Sequence, residues 1–499
     1  MVDSFKESAL RYHMEPVPGK LEIRPTKPLA NARDLSEAYS PGVAYACGMI
    51  VKNPTDVARV TARGNLVGVI TNGTAVLGLG NIGPLAFANI DVFDIELDET
   101  DVDKLVDIIA SLEPTFGGIN LEDIKAPECF LVEQKLRERM NIPVFHDDQH
   151  GTAIVSAAAI YNGLRVVEKN IEDIKLVVTG AGAASIACVD LLVSMGLQKK
   201  NVRMIDRNGV IYKGREVGMN PWKESYAVET SDRTLDDAID NADLFLGLSG
   251  PGILKAEMVK KMAVNPLILA MSNPTPEIMP ELAKAARPDA IIATGRSDYP
   301  NQVNNVLCFP FIFRGALDCG ATVINDAMKQ ACVKAIADLA HREASAVVAE
   351  AYADEELKFG PDYLIPKPFD PRLIEEVPMA VVKAAMESGV ATRPIEDLEA
   401  YRTKLHSYVS RSRLFMQPMI ELARTNPPRI VYAEGENDDV LRAMQGVVDE
   451  KIAKPILIGR PTVIKRKIEE MRLRIQPGLD LEIFNPEEGD YHENYWKHY

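Results

Sequence analysis

The sequence predicts an α/β protein whose largest part is a doubly wound parallel sheet. Short apolar stretches recur between residues 175 and 295, and the segments between them have the apolar spacing of helices. The first of these stretches, KLVVTGAGAAS at 175–185, runs straight into a glycine turn and then into a helical segment. Strands that alternate with helices in this way are typical of a parallel sheet covered by helices on both faces.

Length and composition restrict the classes of protein that need to be considered. The 499 residues suffice for about three domains. A formal charge of −16 argues against broad nucleic-acid binding and against a polybasic membrane surface. No apolar run reaches the ~18 residues that a membrane span needs. The six scattered cysteines form no CxxC pair, so we expect reduced thiols and a cytoplasmic protein.

The chain divides into successive α/β segments. We expect a first α/β domain over 1–151, where the strands LVGVITNG and NIDVFDIEL alternate with helical patterns. A Rossmann-like domain is predicted over 152–390, followed by a helical linker over 391–424. Residues 425–499 contain RIVYAEGENDDVLRAM and KPILIGRP, which predict the start of a further α/β domain.

Two glycine-rich turns compete as the dinucleotide loop. The first contains Gly78, Gly80 and Gly83 and matches G-x-G-x-x-G. The second consists of Gly180, Ala181, Gly182, Ala183, Ala184 and Ser185, with serine in the third glycine position. Only the second follows an apolar strand, opens a helix and is followed by a strand that ends in an acid, so it is favoured. The first is either a turn beside the cleft or a direct ligand contact.

The strand after the second turn ends in Asp206, followed by Arg207. An acid at this place accepts a hydrogen bond from a ribose 2′-hydroxyl, which favours NAD. An arginine can instead bind a 2′-phosphate, which favours NADP. These two residues leave the choice open.

Two acidic pairs lie where metal sites are expected. Glu122–Asp123 follows a glycine turn, and Asp147–Asp148 follows the apolar stretch IPVF. Hard oxygen ligands suit Mg²⁺ or Mn²⁺ rather than zinc. His146 and His150 flank the second pair, and a site containing both rings is a weaker alternative because four residues on a turn do not place them on one face.

Several long motifs resemble those of the malic enzymes. They are YSPGV at 39–43, TNGTAVLGLGNIG at 71–83, NLEDIKAP at 120–127, VFHDDQHGTA at 144–153, VTGAGAAS at 178–185, MSNPTPE at 271–277 and TGRSDYPNQVNN at 294–305. The chain most closely resembles the bacterial long form of the family, which carries a phosphate-acetyltransferase-like domain after the malic part. Residues 1 to about 390 resemble the malic part, and 425–499 resemble the beginning of the acetyltransferase-like domain.

The resemblance implies an activity and a set of site residues. The activity is NADP-linked oxidative decarboxylation of malate to pyruvate and CO₂, with Mg²⁺ or Mn²⁺. Tyr39 would protonate the enol carbon, and Glu122, Asp123 and Asp148 would bind the metal ion. Ala181 to Ala184 would line the nucleotide phosphates, and Asn273 and Asn305 would hold the substrate carboxylates or the nicotinamide end. A homo-oligomer is also implied, with acetyl-CoA as a regulator.

One departure from the family pattern concerns the catalytic lysine. In the family, a basic, glycine-containing stretch with that lysine follows GLGNIGPLA, whereas here Ala86 is followed directly by Phe87. Either a mobile loop is left out of the sequence or the protein is a deletion, and we favour the omitted loop because active-site loops with glycine are usually mobile. Lys125 does not match the missing position and is expected to be a surface lysine.

The missing lysine keeps two other functions open. A catalytically silent protein that binds NADP or acetyl-CoA would show binding without turnover. A working phosphate acetyltransferase is disfavoured because only the first part of that domain is recognisable, and an assay with acetyl phosphate and CoA would decide.

Overall fold

The structure is a computed structural model. It describes residues 11, 14, 27, 31–39, 41–74, 90–342, 348, 357–368, 370–409, 423–449, 451–471 and 473–486. The chain forms two compact units, 1–62 and 63–499. Residues 75–89, which include Gly78, Gly80 and Gly83 of the first glycine-rich turn, lie outside the described residues. Among those residues, no helix has both the length and the apolar character needed to cross a membrane.

The first unit is helical where it is described. Helices α1 (Ala32–Ala38) and α2 (Gly42–Lys52) are followed by a 3₁₀ turn, Pro54–Asp56, and by the short helix α3 (Val57–Val60). The side chain of Asn31 accepts a hydrogen bond from the backbone N–H of Asp34 and so caps α1. Tyr39 ends that helix.

The second unit begins with a parallel sheet of four strands. A 3₁₀ turn at Ala62–Asn65 joins the units. The strands are β1 (Leu66–Thr71), β2 (Asp91–Glu96), β3 (Gly118–Glu122) and β4 (Val144–His146), in the order β2-β1-β3-β4. Helix α4 (Val102–Ser111) and helix α5 (Glu128–Arg139) pack side by side, with Leu105, Ile109, Val132 and Leu136 in one core with the strands. Because all strands are parallel, their carboxyl ends meet at one edge of the sheet.

A π-helical turn, Asp147–Gly151, continues directly into helix α6 (Thr152–Val166). The sequence predicted only a turn after strand IPVF. The π-helical form gives the acidic pair a defined backbone that leads into the next domain without a linker.

The second sheet has six strands and confirms the predicted doubly wound fold. They are β5 (Leu176–Thr179), β6 (Val202–Asp206), β7 (Gly209–Val210), β8 (Leu244–Gly247), β9 (Leu267–Ala270) and β10 (Ile291–Thr294). The order is β10-β9-β8-β5-β6-β7, and all pairs are parallel except β6–β7. Strand β7 was not predicted because two residues carry no periodicity.

Alternate residues of this sheet enter two different cores, as the period of a strand requires. Val178 and Leu246 belong to one core, and Val177 and Phe245 belong to the other. The connecting helices are α7 (Ala183–Ser194), α8 (Pro221–Glu224), α9 (Leu235–Ala238), α10 (Ala256–Lys260) and α11 (Pro280–Ala286). Short 3₁₀ turns lie at Lys199–Asn201 and Asn305–Leu307.

Longer helices complete the first of these cores. They are α12 (Phe309–Cys319), α13 (Asp326–Ala340), α14 (Leu373–Glu387) and α15 (Leu398–Val409). The sequence predicted one helical stretch over 322–358, whereas α13 ends at Ala340. Helix α14 packs on both α12 and α13 and tolerates Pro378 in its interior.

The carboxyl-terminal segment forms a separate small sheet. Its parallel strands are β11 (Arg429–Tyr432), β12 (Lys454–Ile458) and β13 (Glu482–Phe484), accompanied by helices α16 (Asp438–Asp449) and α17 (Pro461–Glu470). Leu441, Leu457 and Ile464 belong to its own hydrophobic core. The segment is thus an α/β element, as predicted from its two apolar stretches.

Candidate active site

The two acidic pairs lie side by side at the carboxyl edge of the four-stranded sheet. Glu122 is the last residue of β3, and Asp147 begins the turn after the neighbouring strand β4. The backbone N–H of Asp123 donates to Oδ2 of Asp148 over 2.8 Å. Asp123 has a φ of +54°, a conformation that Asp tolerates better than most residues. The structure therefore brings together the acids that the sequence placed on separate loops.

Burial and mutual repulsion disfavour the charged forms of these acids. The pKa of Glu122 is raised to about 10, first by burial and then by Asp147 and Asp148. Burial is also the largest cause of the raised pKa values of Asp123, Asp147 and Asp148. Hydrogen bonds from Asn120 to Glu122 and from Asn305 to Asp147 only partly oppose these rises. Such a cluster is stabilised by a nearby cation.

The acids fit a hard divalent cation in their chemistry, though they do not yet surround one. Carboxylate oxygens are the ligands that Mg²⁺ and Mn²⁺ prefer. Oδ1 of Asp147 is buried without a hydrogen-bond partner. In the part of the chain that the structure describes, however, no three His, Cys, Asp or Glu side chains are grouped as a ready metal site. The fit to a divalent cation therefore rests on the chemistry of the carboxylates and on their proximity.

Asn305 connects the acidic edge to the second sheet. Its Nδ2 donates to Oδ2 of Asp147 over 3.0 Å, and its Oδ1 accepts from the hydroxyl of Thr152 at 3.3 Å. Gly151 is required next to this contact, since a Cβ there would lie 1.9 Å from Oδ1 of Asp147. Of the two asparagines predicted to hold substrate, Asn305 thus lies against the acids.

The two histidines do not act as a pair. Nε2 of His150 lies 2.7 Å from Oε1 of Glu133, a buried carboxylate of α5 that also accepts from Gln149 at 3.2 Å. His146 is fully buried, and burial lowers its pKa to about 4. Its Nδ1 lies 3.7 Å from Oδ2 of Asp148, beyond hydrogen-bond distance. No joint histidine site is formed.

The turn at 180–185 has the backbone of a phosphate loop. Gly180 has a φ of +96°, and a Cβ on it would lie 2.4 Å from the carbonyl oxygen of Leu248. Gly182 precedes α7, and a Cβ there would meet no atom of the described residues within 4 Å. Ser185 is buried beside Gly180, which is the close helix–strand packing that a small third residue permits. The amino terminus of α7 can therefore receive a phosphate.

Asp206 lies at the end of β6 as predicted, but cations occupy its carboxylate. Nη2 of Arg215 lies 2.6 and 2.7 Å from its two oxygens, and Nζ of Lys223 lies 2.8 Å from Oδ2. Arg215 also donates to the carbonyl oxygens of Val217, Gly209 and Val210, which uses all five of its N–H groups. The alternative in which Asp206 binds a ribose hydroxyl is thereby disfavoured.

The remaining predicted residues occupy separate places. Tyr39 is 70% exposed within the first unit. Asn273 precedes a cis proline after β9, and a Cβ on Gly295 would lie 2.7 Å from its Nδ2. Arg207 is exposed directly after Asp206. Lys125 is a surface side chain 3.5 Å from Glu128, as expected.

Several residues of the site were not found by sequence reasoning. Asn120, Glu133, Arg215, Lys223 and Glu277 all contact a predicted residue or its loop. Asn120 could have been found, since residues i and i+2 of a strand share a face and Glu122 was already a candidate. Glu277 could also have been found, since it ends the MSNPTPE motif, whereas Glu133, Arg215 and Lys223 lie on a helix and loops whose approach to the site carries no local signal.

Models of known families match three parts of the chain. The malic enzyme N-terminal domain matches 18–97 and again 86–137, and the malic enzyme NAD-binding domain matches 149–350. The phosphate acetyl/butaryl transferase family matches 414–499.

Individual relatives agree with these matches. An NADP-dependent malic enzyme of Salmonella typhimurium is 62% identical over 514 residues, covering all of this chain and 68% of the relative. An NAD-dependent malic enzyme of Rhizobium meliloti is 58% identical over 98% of this chain and 66% of the relative. A crystal structure of malic enzyme from Pyrococcus horikoshii has a TM-score of 0.73 at 36% identity, over 83% of this chain and 99% of that one. The chain belongs to the malic enzyme family, in the form that carries a phosphate acetyl/butaryl transferase segment after the malic part.

Proposed function

We propose that the protein catalyses the NADP-dependent oxidative decarboxylation of malate to pyruvate and CO₂, and that this requires a divalent metal ion. The observation that carries the proposal is the contact between the two acidic turns, in which the N–H of Asp123 bonds to Asp148 beside Asn305. The names and identities of the relatives support the same activity. Other members of the family use NAD, so the dinucleotide has to be argued separately.

Each part of the site has a role in this reaction. Glu122, Asp123 and Asp148 would hold Mg²⁺ or Mn²⁺, which when bound polarises the C2 hydroxyl and carboxylate of malate. Asn305, fixed by Asp147 and Thr152, would hold a substrate carboxylate. Asn273 would hold the substrate or the nicotinamide end, and Tyr39 would donate a proton to carbon through its phenol. The last two roles follow from the resemblance.

NADP is supported by the charges around Asp206. Because Arg215 and Lys223 neutralise that carboxylate, Arg207 and the remaining donor of Lys223 leave an excess of positive charge at the end of β6. An excess of positive charge favours a 2′-phosphate over a 2′-hydroxyl. The turn from Gly180 to Ser185 and the amino terminus of α7 would bind the pyrophosphate.

A rate measurement tests this function. Purified protein with malate, NADP⁺ and Mn²⁺ should form NADPH, seen as absorbance at 340 nm, and pyruvate in equal amounts. Omitting malate or Mn²⁺ should abolish the signal. NADPH formation that is independent of malate or of the metal would contradict the proposal.

One observation favours a second candidate, a protein that binds NADP or acetyl-CoA without turnover. The match to the Salmonella relative spans 514 residues against 499 in this chain, a difference of 15. The N-terminal family model also matches in two overlapping pieces, 18–97 and 86–137, which is typical of a chain that lacks a segment near residue 86. The missing stretch is where the resemblance places the catalytic lysine.

The two candidates differ in what an inserted segment would do. Inserting the corresponding stretch of the Salmonella relative between Ala86 and Phe87 should raise malate oxidation about 10²–10⁴-fold if a general base was absent. The same insertion with its lysine changed to alanine is the control. NADPH binding by the unmodified chain without turnover would support the silent candidate, whereas full activity without the insertion would exclude it.

Further properties of the whole protein belong to the same proposal. We infer a homo-oligomer and a cytoplasmic location, the latter because all six cysteines are free thiols. Regulation by acetyl-CoA is inferred from the 414–499 family match. Sedimentation of the protein and a malate assay with added acetyl-CoA test these inferences.

A further inference from the structure

Glu277 is a fully buried carboxylate that belongs to none of the predicted sites. Its Oε1 accepts the backbone N–H of Ser249 at 3.0 Å, and its Oε2 accepts the backbone N–H of Ser272 at 3.0 Å. Ser249 lies in the loop after β8, and Ser272 lies in the loop after β9, next to Asn273. One carboxylate therefore ties together the loops at the carboxyl ends of two adjacent strands.

The connection continues to the phosphate turn. The hydroxyl of Ser249 donates to Oγ1 of Thr179 over 3.1 Å, and the N–H of Leu248 donates to the carbonyl oxygen of Thr179 at 2.9 Å. Thr179 ends β5 and directly precedes Gly180. Glu277, Ser249 and Thr179 thus form one network across the ends of β5, β8 and β9.

This network crosses the place in the sheet where a dinucleotide is expected. From β5 the chain adds β6 on one side and later β8 on the other, so the topological switch point lies between β5 and β8. Ligands of doubly wound sheets bind in the crevice at the carboxyl ends of the strands at this point. The Ser249–Thr179 hydrogen bond spans it.

Burying Glu277 costs free energy and also requires a glycine beside it, which argues against a merely space-filling role. Gly247 is required beside it, because a Cβ there would lie 2.5 Å from Cδ of Glu277. Burial raises the pKa of Glu277, and among the described residues the groups that oppose the rise are backbone N–H groups and Ser249 rather than a cation. Burying a carboxylate without a cation is costly, and here the cost is offset by hydrogen bonds that join two loops.

We propose that Glu277 is a positioning residue for the dinucleotide, which holds the Ser249 loop and the Ser272–Asn273 loop in the shape that receives the nicotinamide half of NADP. This inference rests on the proposed function, because it assumes that the crevice between β5 and β8 binds NADP. Glu277 contacts the backbone of both loops and the side chain of Ser249, so it acts through the two loops.

The test is NADPH binding by E277Q, measured by NADPH fluorescence without metal. The amide can accept only one of the two backbone N–H groups, since its NH₂ faces the other, and the dissociation constant of NADPH should rise about tenfold. Hydrogen exchange at the amides of Ser249 and Ser272 should become faster. The milder variant S249A keeps the backbone N–H bond to Glu277 but loses the hydroxyl and its bond to Thr179, and should raise the dissociation constant about threefold.

Matched controls separate positioning from general stability. Asp370 is another buried carboxylate, bonded to Arg372 at 2.9 Å, and D370N should lower the melting temperature without changing the affinity for NADPH. The exposed variant E281Q on α11 should change neither. Unchanged affinity in both E277Q and S249A, or equal losses in E277Q and D370N, would overturn the inference. Failure of the wild type to bind NADPH would instead overturn the proposed function and this inference with it.

Discussion

The acidic edge of the four-stranded sheet and the switch point of the six-stranded sheet use the same architecture with opposite electrostatics. Both collect their polar residues where parallel strands end. At the first, Glu122, Asp147 and Asp148 repel one another, and none of the side chains that the structure describes neutralises them fully. At the second, Arg215 and Lys223 neutralise Asp206. The difference teaches that the proposed metal site would need an ion from solution to balance its charge, whereas the charge of Asp206 is already balanced by the protein itself.

Removing one acid at the edge of the four-stranded sheet should weaken metal binding there and leave dinucleotide binding at the six-stranded sheet unchanged. Asp148→Asn should weaken Mn²⁺ binding about a hundredfold or more, because the loss of a proposed direct ligand exceeds the 10–100-fold typical of indirect partners. Mn²⁺ titration followed by electron paramagnetic resonance measures this. NADPH affinity without metal should stay unchanged. Because the variant loses a repulsive charge, its melting temperature in EDTA should be no lower than that of the wild type. Mn²⁺ affinity equal to that of the wild type would contradict the assignment of Asp148.

Removing Arg215, the cation that neutralises Asp206, should lower the stability of the protein. Arg215→Ala removes the donor of five hydrogen bonds, three to backbone carbonyl oxygens and two to Asp206. The free energy of unfolding should therefore fall by about 3 kcal/mol. Urea unfolding measures the change. The matched variant Lys213→Ala removes an exposed ion pair with Glu229 and should change the free energy by less than about 1 kcal/mol. Equal effects of the two variants would show that Arg215 is not the anchor of this loop.

Substitutions of two glycines in the turn at 180–185 should have different effects, one on NADPH binding and the other on the stability of the fold. Gly182→Ala should weaken NADPH binding about tenfold while leaving stability unchanged, because the added methyl meets open space that the pyrophosphate needs. Gly180→Ala should destabilise the fold by about 2 kcal/mol or more, since its φ is positive and Leu248 is too close. NADPH fluorescence and thermal unfolding measure the two effects. The reverse assignment of effects would contradict the proposed phosphate site.

The smallest expected effect concerns the choice of dinucleotide. Arg207→Ala should raise the dissociation constant of NADPH about three- to fivefold and leave that of NADH unchanged, because an exposed cation contributes a modest, screened attraction. The NADPH effect should shrink at high salt. Equal weakening of both nucleotides would place Arg207 away from the 2′-phosphate.

Sequence reasoning succeeded where a site depends on neighbours along the chain. The strand, glycine turn and helix at 175–185 are consecutive, so their geometry follows from local pattern, and Asp206 was correctly placed at the end of a strand. Its neutralisation was not foreseen, because Arg215 and Lys223 reach it through a loop whose shape depends on tertiary contacts. Asp147 was recognised as part of an acidic pair, but its bond to Asn305 joins residues 158 positions apart. The catalytic and binding roles of Tyr39, Asn273, Asn305 and the acidic residues remain predictions.

The turn that carries Asp147 and Asp148 has one more property. It runs without interruption into α6 and also packs against α7, the helix that opens the phosphate loop. If an ion moved the backbone of this turn, it would also move a surface on which the dinucleotide helix rests. Thermodynamic reciprocity then requires that, if loading one ligand tightens the other by some factor, the converse holds by the same factor. In that case the metal site and the dinucleotide site would be coupled through the direct contact between this turn and α7.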